Sequence, residues 1–210
     1  MKKMVLGLMV VAGLLGTSTV VANAADTDSK SADSKSVVST GDVAFSSGTL
    51  SLSVNNKNLS FGKNTISAAD ATLGASTTPT VKVNDLRGTN VGWSLTVAQG
   101  QQFNTKTDAS GSALTNAALT VTSTKDSSDS TSSDSTVNTD NTPLTPGTTT
   151  SGTTTNGPVT KVASALPGHG NGISAFTFGG STLAVPGATN KLEKSYTTTL
   201  TWTLGDTPSN

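Results

Sequence analysis

Few side chains in this sequence are equipped for chemistry, and their spacing is informative mainly about what they do not do. His169 is the only histidine and stands in a glycine-rich stretch, Gly168-His169-Gly170-Asn171-Gly172. A nucleophile–base–acid apparatus needs the imidazole oriented by a third group, and no motif around His169 supplies one, so it reads as a loop residue. Glycosidase chemistry needs two facing carboxyls, yet the only glutamate, Glu193, sits alone between Lys191 and Lys194. Asp126, Asp129, Asp134 and Asp140 cluster in sequence but lack the central glycine and terminal glutamate of a calcium loop. A zinc site needs three or four His, Cys or acidic ligands, and the chain has no cysteine. No metal, no cofactor and no catalytic residue is therefore expected, and the chain reads as a binding protein.

The segment Leu166-Pro167-Gly168-His169-Gly170 superficially echoes a sortase signal. It lacks the threonine and is followed by no apolar tail, so covalent wall anchoring is not expected.

The remaining residues with recognition chemistry are two tryptophans and the only arginine. The tryptophans stand in near-identical contexts, Gly92-Trp93-Ser94-Leu95-Thr96-Val97 and Leu200-Thr201-Trp202-Thr203-Leu204. Strand side chains alternate with period two, so Trp and Leu two apart point the same way. Each motif thus offers an indole and an isobutyl group on one face. Two uses follow: core packing, because large aromatics dominate core energetics, or a stacking platform for the rings of a glycan. Asp85 and Arg87, two apart beside Gly88, form either a turn-stabilising pair or a contact in which the planar guanidinium fork meets a ligand.

Elements to carry these residues are legible around them. Lys2 and Lys3, the uncharged apolar run Met4 to Leu15 and the Ala22-Asn23-Ala24 site mark residues 1–24 as a secretory signal peptide; the run is too short to span a membrane. Cleavage removes two of the 13 bases and none of the 13 acids, leaving a formal charge of −2. That balance excludes nucleic-acid binding, which needs clustered Lys and Arg. No second apolar segment follows, so no membrane span is expected after cleavage. Residues 25–40 read as a disordered polar leader.

Thr, Ser, Gly and Asn abound while helix formers are scarce, which predicts an all-β fold: an antiparallel sandwich or open barrel. Alternation places strands at Leu50–Val54, ending in the turn pair Asn55-Asn56, and then at Leu59–Phe61, Val81–Val83, Trp93–Val97 and Leu119–Val121. Further strands fall at Val159–Leu166, Ile173–Thr177, Leu183–Val185 and Tyr196–Leu204. Residues 125–157, almost entirely Ser, Thr, Asp, Asn, Gly and Pro, read as a flexible insertion within one domain spanning 41–210, with a linker between two small domains as the alternative.

The two tryptophan strands resemble the WxL family of surface proteins of low-GC Gram-positive bacteria. Tyr196, Leu200, Thr201, Trp202, Leu204 and Pro208 match the family's C-terminal motif, Y-x-x-x-L-T-W-x-L-x-x-x-P. Asp85, Arg87, Gly88, Gly92, Trp93, Leu95, Thr96 and Val97 match its proximal one. The resemblance covers Gly41 to Asn210. It implies a secreted protein held non-covalently on the cell wall, with peptidoglycan as its partner and Trp93, Leu95, Tyr196, Leu200, Trp202 and Leu204 as the motif residues that bind it; Asp85 and Arg87 would be accessory. Family members are often encoded alongside partner surface proteins, so the alternative is a subunit of a surface complex, or an adhesin, binding a partner protein or an extracellular polysaccharide.

Overall fold

A computed structural model describes residues 37–55, 58–108, 110–132, 134–137 and 143–208. The expected signal peptide, most of the leader, Asn56 and Asp140 lie outside the described residues. The chain divides into two compact units, Met1–Val43 and Ala44–Asn210, and everything below concerns the second unless residues 37–43 are named. Among the described residues there is no helix, and none is long and apolar enough to cross a membrane.

Among the described residues fourteen strands form three four-stranded sheets and one ribbon, with every ladder antiparallel. The first sheet runs β1 (Leu50–Asn55), β3 (Thr80–Asp85), β12 (Gly172–Thr177), β6 (Thr124–Lys125). The second runs β2 (Ala71–Gly74), β13 (Thr182–Val185), β5 (Ala118–Thr120), β8 (Pro143–Leu144). The third, which carries the tryptophans, runs β14 (Leu200–Gly205), β4 (Trp93–Gln99), β11 (Thr160–Ala165), β7 (Thr136–Val137). The ribbon pairs β9 (Thr148–Thr150) with β10 (Thr153–Thr155). The all-β class expected from composition holds, in open sheets with none closed into a barrel.

One apolar cluster joins the three sheets: Val81, Val83 and Phe176 from the first, Leu119, Leu183 and Val185 from the second, Trp93, Leu95, Val97 and Ala163 from the third. Burial of this kind stabilises by about 25 cal/mol per Å² of apolar surface, which is what a chain without disulfides must rely on. Trp93 meets Phe176 edge to face, with centroids 6.1 Å apart, and Phe178 lies 4.7 Å from Trp202.

The described residues of 125–157 form short strands, where the sequence alone suggested a flexible insertion. They supply β6 through β10, and they are held chiefly by hydrogen bonds. The backbone N–H of Thr131 and of Ser132 donates to Ile173 O, and Asp126 N donates to Ala175 O. In return Ile173 N donates to Thr131 Oγ1 and Ala175 N to Ser130 Oγ. Hydroxyl side chains thus complete the open edge of β12. Composition misled here because it registers missing apolar area, whereas short Ser/Thr segments can satisfy an existing sheet edge. Among the described residues of this stretch, Leu144 of β8 reaches the core.

Two further differences are local. β2 escaped the alternation reading because Leu73 is its only large apolar residue; it pairs opposite Leu183. Tyr196 to Thr199, expected as the start of the last strand, makes only an isolated bridge, Thr197 to Asn104.

Candidate functional site

The two Trp-x-Leu strands are neighbours. β14 runs antiparallel along β4 with Leu204 opposite Leu95, Trp202 opposite Val97 and Leu200 opposite Gln99. Directly opposed residues project from the same face of a sheet, so both motifs aim their Trp and Leu side chains at the core. β4 is interior and Trp93, Leu95 and Val97 have no exposed surface. β14 lies at the sheet edge, and Leu200, Trp202 and Leu204 are half-buried against the same cluster.

Trp93 is enclosed from the side of β11 by small residues. Ala165 is its cross-strand partner, and Ala163 is that of Leu95. Between Lys161 and Ala163 the register shifts, leaving Val162 as a bulge, which re-aims the strand. The indole Nε1 donates to Gly170 O at 3.2 Å, so the polar end of the ring is satisfied inside the core. Gly170 has φ of 77°, and a Cβ there would fall 2.6 Å from Trp93 Nε1. Only glycine combines that left-handed backbone with so close an approach.

Arg87 ties the ends of both strands together. Its Nε donates to Asp85 Oδ1 at 2.9 Å and its Nη2 to Asp85 Oδ2 at 2.8 Å. Nη2 also donates to Gly92 O at 2.6 Å, one residue before Trp93, and Nη1 to Asp206 O at 2.8 Å, one residue after β14. The hydrogen bonds from Arg87 hold the Asp85 carboxyl below its ordinary range, and the same pairing raises Arg87.

The family model for the WxL domain, a surface cell wall-binding domain, matches residues 18–208. The chain belongs to the WxL domain family. No curated protein and no solved structure matches it. The match makes this a wall-binding surface domain, and the family is one of binding modules.

Within the WxL domain, the residues expected to bind peptidoglycan separate into two groups. Trp93 and Leu95 are core residues with 0% exposure, so of the two uses open to a Trp-x-Leu strand they take core packing. Trp202, Leu200 and Leu204 retain some surface only because β14 is an edge strand. Tyr196 is also half-buried, and its hydroxyl accepts from Leu192 N at 2.8 Å, closing the loop before β14. The accessory pair Asp85 and Arg87 is likewise turned inward, with Asp85 4% exposed and three guanidinium nitrogens engaged within the WxL domain.

The described acidic residues of 125–140, Asp126, Asp129 and Asp134, do not converge. Asp129 pairs with Lys82 at 2.8 Å, Asp126 accepts from Ser128, and Asp134 takes Gly170 N at 2.9 Å and Ser132 Oγ at 2.8 Å. The bond from Gly170 is the main reason the Asp134 carboxyl is lowered to about 2. His169 meets Asp134 at 3.3 Å, in the turn that covers Trp93. Among the described residues no group of three such side chains could hold a metal ion. Sequence reasoning named Gly170 and Asp134 but gave neither a part in covering Trp93. The signal for Gly170 was its place among glycines at every second position, 168, 170 and 172, each with positive φ.

On its other face β14 presents a different surface. Thr201 and Thr203 are exposed there, and Thr197 and Thr199, in the lead-in, are exposed as well. Asn156 Nδ2 donates to Thr201 Oγ1 at 2.9 Å, bringing the end of the β9–β10 ribbon beside this row.

Proposed function

We propose that this protein is exported and retained on the cell wall non-covalently, with peptidoglycan as the polymer it binds. The observation that carries the reading is the wall-binding family match over 18–208. The motif residues act from inside: Trp93, Leu95, Trp202 and Leu204 fix the sheet, and Arg87 holds its strand ends together. Contact with the polymer then falls to surface that this sheet displays, of which Trp202 at the edge and the outward threonines of β14 are the nearest. A repeating polymer retains a protein whose single contacts are weak, through rebinding.

The test is co-sedimentation of the mature chain, residues 25–210, with purified protein-free peptidoglycan. Pelleting that is reversed by denaturant is the expected result. A folded protein that stays in the supernatant overturns direct wall binding.

A second reading, a subunit bound to another surface protein, is favoured by the exposure of Phe45 (92%) ahead of β1. An exposed apolar side chain beside a strand suits strand addition to a partner's sheet edge. Wall retention that appears only when such a partner is present is its signature.

A further inference from the structure

The geometry points to a sugar subsite at the head of the second motif strand, a cavity that takes one uncharged pyranose ring of a wall glycan; the inference rests on the wall-binding reading and names its contact surface. The cavity measures about 170 Å³ and is lined by Gln101, Thr107, Thr154, Thr197, Thr198 and Thr199. Three pieces of chain meet there: the stretch that follows β4, the ribbon strand β10, and the lead-in to β14.

The lining has one chemical character. Five threonines and a glutamine provide hydroxyls and an amide that donate and accept, and the threonine methyls provide apolar contact between them. Among the described residues no ionisable side chain lines the cavity, whereas recognition of phosphate or carboxylate draws on Arg or Lys. The match is therefore to a neutral ring that carries hydroxyl and amide groups between C–H faces. The volume is below the roughly 300–1,000 Å³ of clefts that engulf a small molecule. A single ring of a longer chain suits that size, with its neighbours running over the surface.

The cavity is also held in place before any ligand arrives. Gln101 is fixed on three sides: its Nε2 donates to Lys106 O at 2.8 Å, its Oε1 accepts from Thr149 Oγ1 at 2.8 Å, and its carbonyl accepts from Thr198 Oγ1 at 2.6 Å. Asn104 and Thr197 exchange backbone hydrogen bonds at 2.9 and 2.8 Å, and Gly100 N donates to Thr199 O at 2.8 Å. Gly100 permits this approach, since a Cβ there would fall 2.1 Å from Thr199 Oγ1. Thr197 and Thr199 are thus clamped at the backbone while their side chains stay exposed. Among the described residues no internal hydrogen bond engages the hydroxyl of Thr107, Thr197 or Thr199. A site fixed in this way loses little freedom on binding. Beyond it, Thr201 and Thr203 continue the row at a spacing of about 6.7 Å per two residues, a track along which a polymer can lie.

The test is an amide-shift titration of the mature chain with the β-1,4-linked tetramer of N-acetylglucosamine, run beside peptidoglycan pelleting. Shifts centred on Gln101, Thr154 and Thr197–Thr199 are expected. The double substitution Thr197→Val/Thr199→Val, which keeps shape and strand preference, is expected to weaken tetramer binding at least tenfold with an unchanged melting temperature. Thr197→Ser/Thr199→Ser, which keeps both hydroxyls, is expected to restore it. Thr154→Val provides the same readout from the ribbon should the double variant fold poorly. Absence of shifts in these residues at millimolar tetramer, or equal affinity of wild type and valine variants, overturns the subsite. Pelleting without tetramer shifts leaves wall binding standing and removes the subsite; tetramer shifts without pelleting do the reverse.

Discussion

Arg87 holds Asp85 in a two-pronged grip, and the same guanidinium reaches the carbonyls of Gly92 and Asp206. The pair is therefore the junction at which the turn after β3, the start of β4 and the end of β14 meet. Asp85 is buried, so removing its charge leaves a largely enclosed cation unpaired. Asp85→Asn is expected to cost about 3 kcal/mol at pH 7, read by urea unfolding. The carboxyl is lowered in the folded state, so its contribution is complete above the ordinary carboxylate value near pH 4 and disappears as pH falls through the lowered one. Wild type and Asp85→Asn should consequently converge in stability in acid. A gap that stays constant from pH 7 to pH 2.5 would show that the charge on Asp85 is not what the junction uses.

The two motif tryptophans should differ in energetic weight. Trp93 is wholly enclosed and hydrogen-bonded, and Trp93→Ala is expected to cost about 3–5 kcal/mol, a large share of the stability of a single domain. Trp202 is half-buried at an edge, and its replacement by alanine should cost about 2 kcal/mol by the same burial argument. Trp93→Phe, milder than alanine, should keep its wall pelleting wherever it stays folded, because Trp93 presents no surface. Lost pelleting in a folded Trp93→Phe protein would mean that the ring is reached by ligand after all.

Gly170→Ala tests the cover over Trp93. The added methyl would sit 2.3 Å from Ala165 Cβ and 2.6 Å from Trp93 Nε1, at a φ of 77°. Backbone strain and overpacking together are expected to cost about 2–4 kcal/mol, with a changed near-ultraviolet circular dichroism signal from the displaced indole. A variant as stable as wild type with an unchanged signal would show that the turn yields without disturbing the ring.

The parts of this fold that were legible in sequence are those written in apolar alternation. Leu50, Leu52 and Val54, or Trp93, Leu95 and Val97, repeat with period two because one face of each strand meets the core. The motif matches were legible for the same reason, since their large side chains are distinctive. Which strand each motif would pair with was not, because register depends on contacts far apart in the chain, such as Leu95 with Leu204. Nor could alternation separate an interior strand from an edge, and that is the whole difference between Trp93 and Trp202. Ser130, Thr131 and Asp134 were illegible for another reason: they act by hydrogen bonding to partners more than 35 residues away, and short polar residues carry no periodic trace of such a role.

The tip of the β9–β10 ribbon offers a way to ask whether 125–157 separates two domains or lies within one. Ser151 and Gly152 are exposed there, both with positive φ, and the ribbon reaches the rest of the fold through Gly147 N to Gly100 O and Gly157 N to Gln99 O. A protease site placed between them should be cut readily while the protein stays folded. The strands on either side of the cut are interleaved: β11 and β14 flank β4, β12 pairs with β3, and β13 lies between β2 and β5. The two fragments are therefore expected to co-elute on size exclusion as one species of unchanged size and to part only in denaturant. Separate elution under native conditions would establish two independent domains, and the region between them would then be a linker despite its strands.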